Sequence, residues 1–109
     1  MLLGLFAVEV SGHSMSPTFN HGDWLLAQRR RGRVRPGALV IARRPDVGLV
    51  VKRVTQLRVT QGQTQVWLEG DNPEPAASTD SRAFGWVGDE IITGTVLLRY
   101  RRGRPTPGC

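Results

Sequence analysis

The sequence predicts an all-β domain, and three observations carry that expectation. Thirteen Gly and seven Pro among 109 residues cut the apolar residues into short runs, a pattern of many strands and turns rather than long helices. The apolar runs are too short for packed helices and are separated by turn-forming dipeptides such as Gly22-Asp23 and Pro36-Gly37. The length suits one domain with a single modest core. Residues 1–100 are assigned to that domain, and residues 101–109, rich in Arg, Pro and Gly, to a basic, disordered tail.

Taken in order, residues 1–10 form an apolar run about half as long as the roughly 20 residues needed to span a bilayer. The run lacks a basic start and a separate cleavage region, so it reads as a first strand rather than a signal peptide. Residues 11–18 are polar and turn-rich, a loop, and residues 24–27 are a second short strand. Residues 29–35 carry five arginines and no acid, which reads as a solvated, mobile surface loop. Pro36-Gly37 then turns into a third strand at 38–42. Runs at 49–60 and 64–69, joined by Gln61-Gly62-Gln63, form a β-hairpin. Residues 70–85 are a long irregular segment, and such segments in small domains carry function or disorder. Residues 91–100 are the last strand.

The formal charge of +6 invites phosphate, anionic lipid or an acidic partner, so a noncatalytic basic β-domain binding nucleic acid or anionic lipid is an alternative reading. No aromatic residues interleave with the arginines of 29–35 to stack bases, which argues against nucleic acid. The one cysteine, Cys109, permits neither an intrachain disulfide nor a cysteine-based zinc site.

Fourteen of the fifteen basic residues are Arg, and the single lysine, Lys52, lies inside the strand-like run Gly48-Leu-Val-Val-Lys-Arg-Val54. Burial strips a proton from an ammonium far more readily than from a guanidinium. Along a strand Val50, Lys52 and Val54 share one face and Leu49, Val51 and Arg53 the other. Two flanking valines desolvate the ammonium and lower its pKa, the direction a general base requires. A hydrolytic serine needs such a base. His13 adjoins Ser14, and side chains of neighbours in extended backbone diverge; His21 is the other histidine and remains open. A loop serine with a neutral lysine is a variant of the same chemistry.

Three motifs resemble the type I signal peptidases and their relatives, serine proteases that use a Ser/Lys dyad. Ser14-Met15-Ser16-Pro17-Thr18 with Gly22-Asp23 is similar to the nucleophile box, and Val51-Lys52-Arg53-Val54 to the lysine box. Gly70-Asp71-Asn72 with Ser78-Thr-Asp80-Ser81-Arg82-Ala-Phe-Gly85 is similar to the third box. Each is weak alone, and their shared order is the signal. The resemblance implies a small catalytic core of short, strongly bent antiparallel strands with long loops, in which Ser14 is nucleophile, Lys52 general base and Ser78 the group that orients the lysine. It implies that Asp80 and Arg82 are an ion pair supporting the site. The oxyanion would be held by the Ser14 N–H and by position 12, where some members carry a serine hydroxyl and this chain has Gly12. Substrate would dock as an added strand beside Val10, Ser11, Val50 and Val51.

Residues 72 and 78 are further apart than in the shortest family versions, with Pro73 and Pro75 between. With no membrane anchor visible, the chain resembles most closely the nickel-type superoxide dismutase maturation proteases, which free an amino terminus that then binds nickel. The metal would belong to the substrate; the protease is expected to need no cofactor. Its partner is expected to be a protein or peptide precursor with an amino-terminal extension rather than nucleic acid, with membrane contact left open and a cytoplasmic location. The runner-up is a signal peptidase acting on secreted preproteins.

Overall fold

The computed structural model describes residues 4–74, 76 and 79–103. These form seven strands in one antiparallel sheet: β1 Leu5–Glu9, β2 Trp24–Arg29, β3 Leu39–Arg44, β4 Gly48–Thr60, β5 Gln63–Glu69, β6 Val87–Gly88 and β7 Ile92–Arg101. Their order across the sheet is β1-β2-β7-β3-β4-β5-β6, which makes β1 an edge strand. The all-β expectation holds, with one short helix, α1 Ser81–Phe84, inside the segment expected to be irregular and a 3-10 turn at Asp89–Ile91.

Long β4 is shared between two neighbours. Its first half pairs with β3, setting Lys52 opposite Val40, and from Arg53 onward it pairs with β5. The hairpin turn is two residues, Gln61 and Gly62, both at positive φ (53° and 75°) as a tight hairpin with right-handed strand twist demands. A register shift between Val54 and Gln56 sits where β4 changes partners. A bulge bends a strand there.

Alternation on β3 and β4 splits the interior in two. Ile41 and Val51 point into one cluster with Val10, Met15, Phe19, Leu25 and Ala27. Val40, Ala42 and Val54 point into the other with Val34, Val66, Leu68 and Ile92. The central strands are thus covered on both faces.

The 29–35 segment differs from the mobile surface loop expected of it. Arg29 ends β2, Val34 is buried in the second cluster, and Arg30 is held to Asp89 by a 2.7 Å ion pair and to the Asp89 carbonyl by a further hydrogen bond. Like charges flanking one buried apolar side chain hid that anchoring. Of the 101–109 tail, Arg101 belongs to β7 and the Gly103 N–H donates to Asp23 Oδ1 at 2.7 Å; residues 104–109 lie outside the described residues.

Candidate active site

Ser14 rides on the loop between β1 and β2, and two apolar side chains that point inward fix that loop. Met15, 1% exposed, and Phe19 sink into the first cluster, and the Phe19 N–H donates to the Met15 carbonyl at 2.9 Å. With Met15 inward its neighbour Ser14 is left half-buried at the surface. The loop closes at its base through Val10 N–H to the Asp23 carbonyl and Gly22 N–H to the Val10 carbonyl, both 2.8 Å. Asp23 is buried there. Burial pushes its carboxyl up, but N–H donors from Asn20 and Gly103 and the Arg99 guanidinium outweigh that and hold it below the usual carboxylate range.

The third motif docks onto this loop. The Asn72 N–H donates to the Ser14 carbonyl at 2.9 Å and its Nδ2 to the His13 carbonyl at 2.8 Å, two contacts on adjacent peptide groups. Asp71 joins the loop to the lysine strand. It accepts the Thr18 hydroxyl at 2.6 Å and a bidentate pair from Arg53 Nε and Nη2, both 2.9 Å. The Arg53 guanidinium, with help from Thr18, holds the Asp71 carboxyl below its ordinary value. A planar fork fixes angle as well as distance. One carboxylate thereby ties the loop bearing Ser14 to the residue that follows Lys52.

Lys52 is 4% exposed. Burial lowers its pKa, the Asp80 carboxylate opposes that shift, and the Arg44 and Arg82 guanidiniums add to it. The net direction is the one expected from its valine neighbours. Asp80 is itself almost wholly buried and caps α1. It accepts the Arg82 and Gly70 N–H groups and pairs with Arg82 Nη2 at 2.7 Å. Gly85 closes α1 at φ 83°, and its N–H donates to the Ser81 carbonyl.

A narrow cleft of about 100 Å³ lies between the end of β1 and the start of β4. Val10, Ser11, Ser14, Val50, Val51 and Lys52 all line it, so six residues singled out from the sequence meet in one place. Ser78, assigned to aim the lysine, lies outside the described residues. Gly12 adopts φ 86°, a left-handed conformation that glycine tolerates best, and its N–H donates to His21 Nδ1 at 2.9 Å. That bond occupies the Gly12 amide and one nitrogen of His21, whose role in the structure is to brace the loop. Thr18, Arg53, Asp71 and Asn72 had no individual role in the sequence reading. Their signal was their membership of the three boxes, and their function emerges only from contacts spanning dozens of residues.

Among the described residues no group of three or more His, Cys, Asp or Glu side chains is arranged to hold a metal ion, and no helix is long and apolar enough to cross a membrane.

Comparison with known proteins adds a family. Mitochondrial ATP-independent inner membrane protease subunit 1a of Arabidopsis thaliana is 36% identical over 115 aligned positions, covering 84% of this chain and 67% of that protein. Mitochondrial inner membrane protease subunit 1 of Xenopus tropicalis is 35% identical over 115 positions, covering 84% of this chain and 66% of that protein. The chain spans about two thirds of the length of these curated relatives. A model of the family described as Peptidase S24-like matches residues 3–91, a stretch that takes in β1, the Ser14 loop, the lysine strand and α1. On that match and those identities, the chain belongs to the Peptidase S24-like family.

Proposed function

We propose that this chain is a serine endopeptidase in which Ser14 and Lys52 form the catalytic dyad and which removes an amino-terminal extension from a precursor protein. The observation that carries the reading is the shared cleft: a loop serine and a buried lysine with a lowered pKa line the same narrow groove. Neutral Lys52 Nζ takes the Ser14 hydroxyl proton as Oγ attacks the scissile carbonyl carbon, giving a tetrahedral oxyanion. The Ser14 N–H is the backbone donor assigned to that oxyanion, since the Gly12 amide already serves His21. The Lys52 ammonium returns its proton to the departing amine as the C–N bond breaks, leaving an ester on Ser14. Water then gives Lys52 a proton as it attacks the ester, and collapse restores the serine hydroxyl and frees the new carboxyl terminus. Ser78 is assigned to orient Lys52, and Asp80 with Arg82 to support it.

The substrate implied by the resemblance to the nickel-type superoxide dismutase maturation proteases is a nickel-type superoxide dismutase precursor. The relatives, named as inner membrane proteases, favour a second substrate class, precursors presented at a membrane. Purified protein is incubated separately with a dismutase precursor and a secretory preprotein, and each new amino terminus is mapped by mass spectrometry. Cleavage of the dismutase precursor, abolished in both Ser14→Ala and Lys52→Arg, is the expected result. Arg keeps the charge but not the capacity to act as base. Wild-type turnover by Lys52→Arg would sink the dyad, and cleavage of the preprotein alone would assign the second class.

A further inference from the structure

The cleft that holds Ser14 does not end beside it. A much larger hollow of about 550 Å³ lies further back along β1, lined by Leu5, Phe6, Arg29, Arg43 and Thr93, and Leu49 is common to both. Its lining combines apolar Leu5, Phe6 and Leu49 with two arginines. Arg43 is the cross-strand partner of Leu49, on the same sheet face as Ile41 and Val51, and Arg29 is placed at the end of β2 where β1 begins. Both are exposed, and among the described residues neither holds a salt bridge, whereas Arg30, Arg44, Arg53, Arg82 and Arg99 each do. A second hollow, lined by Gly4, Arg29, Arg30 and Arg31, shares Arg29 with it and adds Arg31. At the other end of β1 the charge changes sign, because Glu9 lines the cleft at Ser14.

We infer that this hollow is an outlying subsite for an acidic side chain of the peptide substrate, read by Arg29 and Arg43. The inference rests on the peptidase reading above and adds a specificity to it. A peptide added to the free edge of β1 advances about 3.3 Å per residue. From Val10, beside Ser14, back to Phe6 is therefore about four residues, so the acid belongs about four to six residues from the scissile bond. The aliphatic stem of a Glu rests on Leu5, Phe6 and Leu49 while its carboxylate meets the two forks. An acid opposite Glu9 is repelled.

The test uses short labelled peptides spanning a precursor junction, with Gln replaced by Glu at one position at a time along the peptide. Turnover by the wild-type protein gives kcat/KM, and fluorescence anisotropy with Ser14→Ala protein gives binding without chemistry. The expected result is one preferred position about four to six residues from the bond, where Glu improves kcat/KM about five- to tenfold over Gln, chiefly through KM, and loses that advantage at high salt. Arg29→Gln/Arg43→Gln flattens the preference, and Arg29→Glu/Arg43→Glu reverses it toward Lys at that position, each judged as a ratio within one variant. No preferred position, or a preference that survives charge reversal, overturns the subsite. So does charge reversal that abolishes binding to anionic lipid vesicles while leaving the peptide ratio intact, which would make the hollow a lipid headgroup site. Absence of all turnover with Arg-dependent Glu binding retained would count against the dyad and leave the subsite standing.

Discussion

Ser14 and Lys52 share a cleft, yet the two regions that deliver them are built on opposite plans. Lys52 sits mid-strand, where the ladder to β3 and the alternation of side chains set its position; moving it requires slipping a register that buries Val40, Val51 and Val54. Ser14 sits on a loop with no ladder at all. Its position depends on two apolar plugs, Met15 and Phe19, and on side chains from residues more than fifty positions away. A strand can be placed by local pattern, whereas a loop must be placed by its neighbours. The contrast predicts that the Ser14 side of the cleft is the fragile one.

The strongest test removes the residue that serves both sides. Asp71→Ala deletes the bidentate pair with Arg53 and the Thr18 contact together. The expected outcome is a stability loss of about 2–3 kcal/mol, since charged hydrogen bonds are lost and a half-buried guanidinium is left over. A drop in kcat/KM of roughly a hundredfold accompanies it, from misplacing Ser14, the proposed nucleophile. Urea unfolding and peptide kinetics read the two effects, and wild-type kinetics with reduced stability would show that the brace holds the fold but not the site. The pH arm follows from the lowered Asp71 pKa. The stability it contributes is complete above the ordinary carboxylate value of 3.8 and disappears as pH falls below that, through the lowered native value, so the wild-type advantage over Asp71→Ala narrows in acid.

Core substitutions sharpen the same contrast. Met15→Ala opens a cavity under Ser14 and costs about 2–4 kcal/mol, with kcat/KM falling about tenfold well below the melting temperature because the loop loses its plug. Val66→Ala, on β5 in the second cluster, costs about 1–3 kcal/mol and leaves kcat/KM near wild type. Equal kinetic losses from the two would erase the distinction between regions. Asn72→Ala is milder. It removes the Nδ2 bond to the His13 carbonyl but keeps the backbone N–H that reaches the Ser14 carbonyl, so about 1 kcal/mol and a severalfold loss of kcat/KM are expected.

The same division decides what the sequence made legible. The β4–β5 hairpin follows from alternation and the Gln-Gly turn, and the direction of the Lys52 shift follows from its place in an apolar strand run that becomes buried, because those signals lie within a few residues of their effects; the Asp80 and Arg82 contributions come from far along the chain. The Ser14 brace does not follow in this way, because Arg53 with Asp71 and Thr18 with Asp71 are pairings that only the assembled sheet creates. Met15 and Phe19 look incidental in a polar stretch until the first cluster supplies their partners. β6 and α1, two and four residues long, are too short to show any period, although Asp80 and Gly85 mark the ends of α1. Motif resemblance recovered Ser14, Asp71 and Asn72 as members of boxes, and it took contacts to show what Asp71 and Asn72 do.

The smallest expected effect belongs to the strand side and concerns charge rather than position. Arg44 adds to the lowering of the Lys52 pKa that burial begins, while Asp80 opposes it. Removing the guanidinium in Arg44→Gln therefore raises the Lys52 pKa, and the ascending limb of kcat/KM against pH moves to higher pH with the plateau rate retained. In the proposed dyad neutral lysine is the reactive form, so activity at neutral pH falls while activity in alkali does not. Arg44 also pairs with exposed Asp46 at 3.0 Å and lies over the Phe84 ring, contacts worth at most about 1 kcal/mol each at this exposure. Stability changes in the matching direction. Between its lowered native pKa and the ordinary value of 10.5 the unfolded chain holds more protons on Lys52 than the folded one, so the wild type gains stability as pH rises through that window, and the variant gains less. A limb that stays put in Arg44→Gln would mean that Arg44 does not act on Lys52 and that burial, with Asp80 and Arg82, governs it.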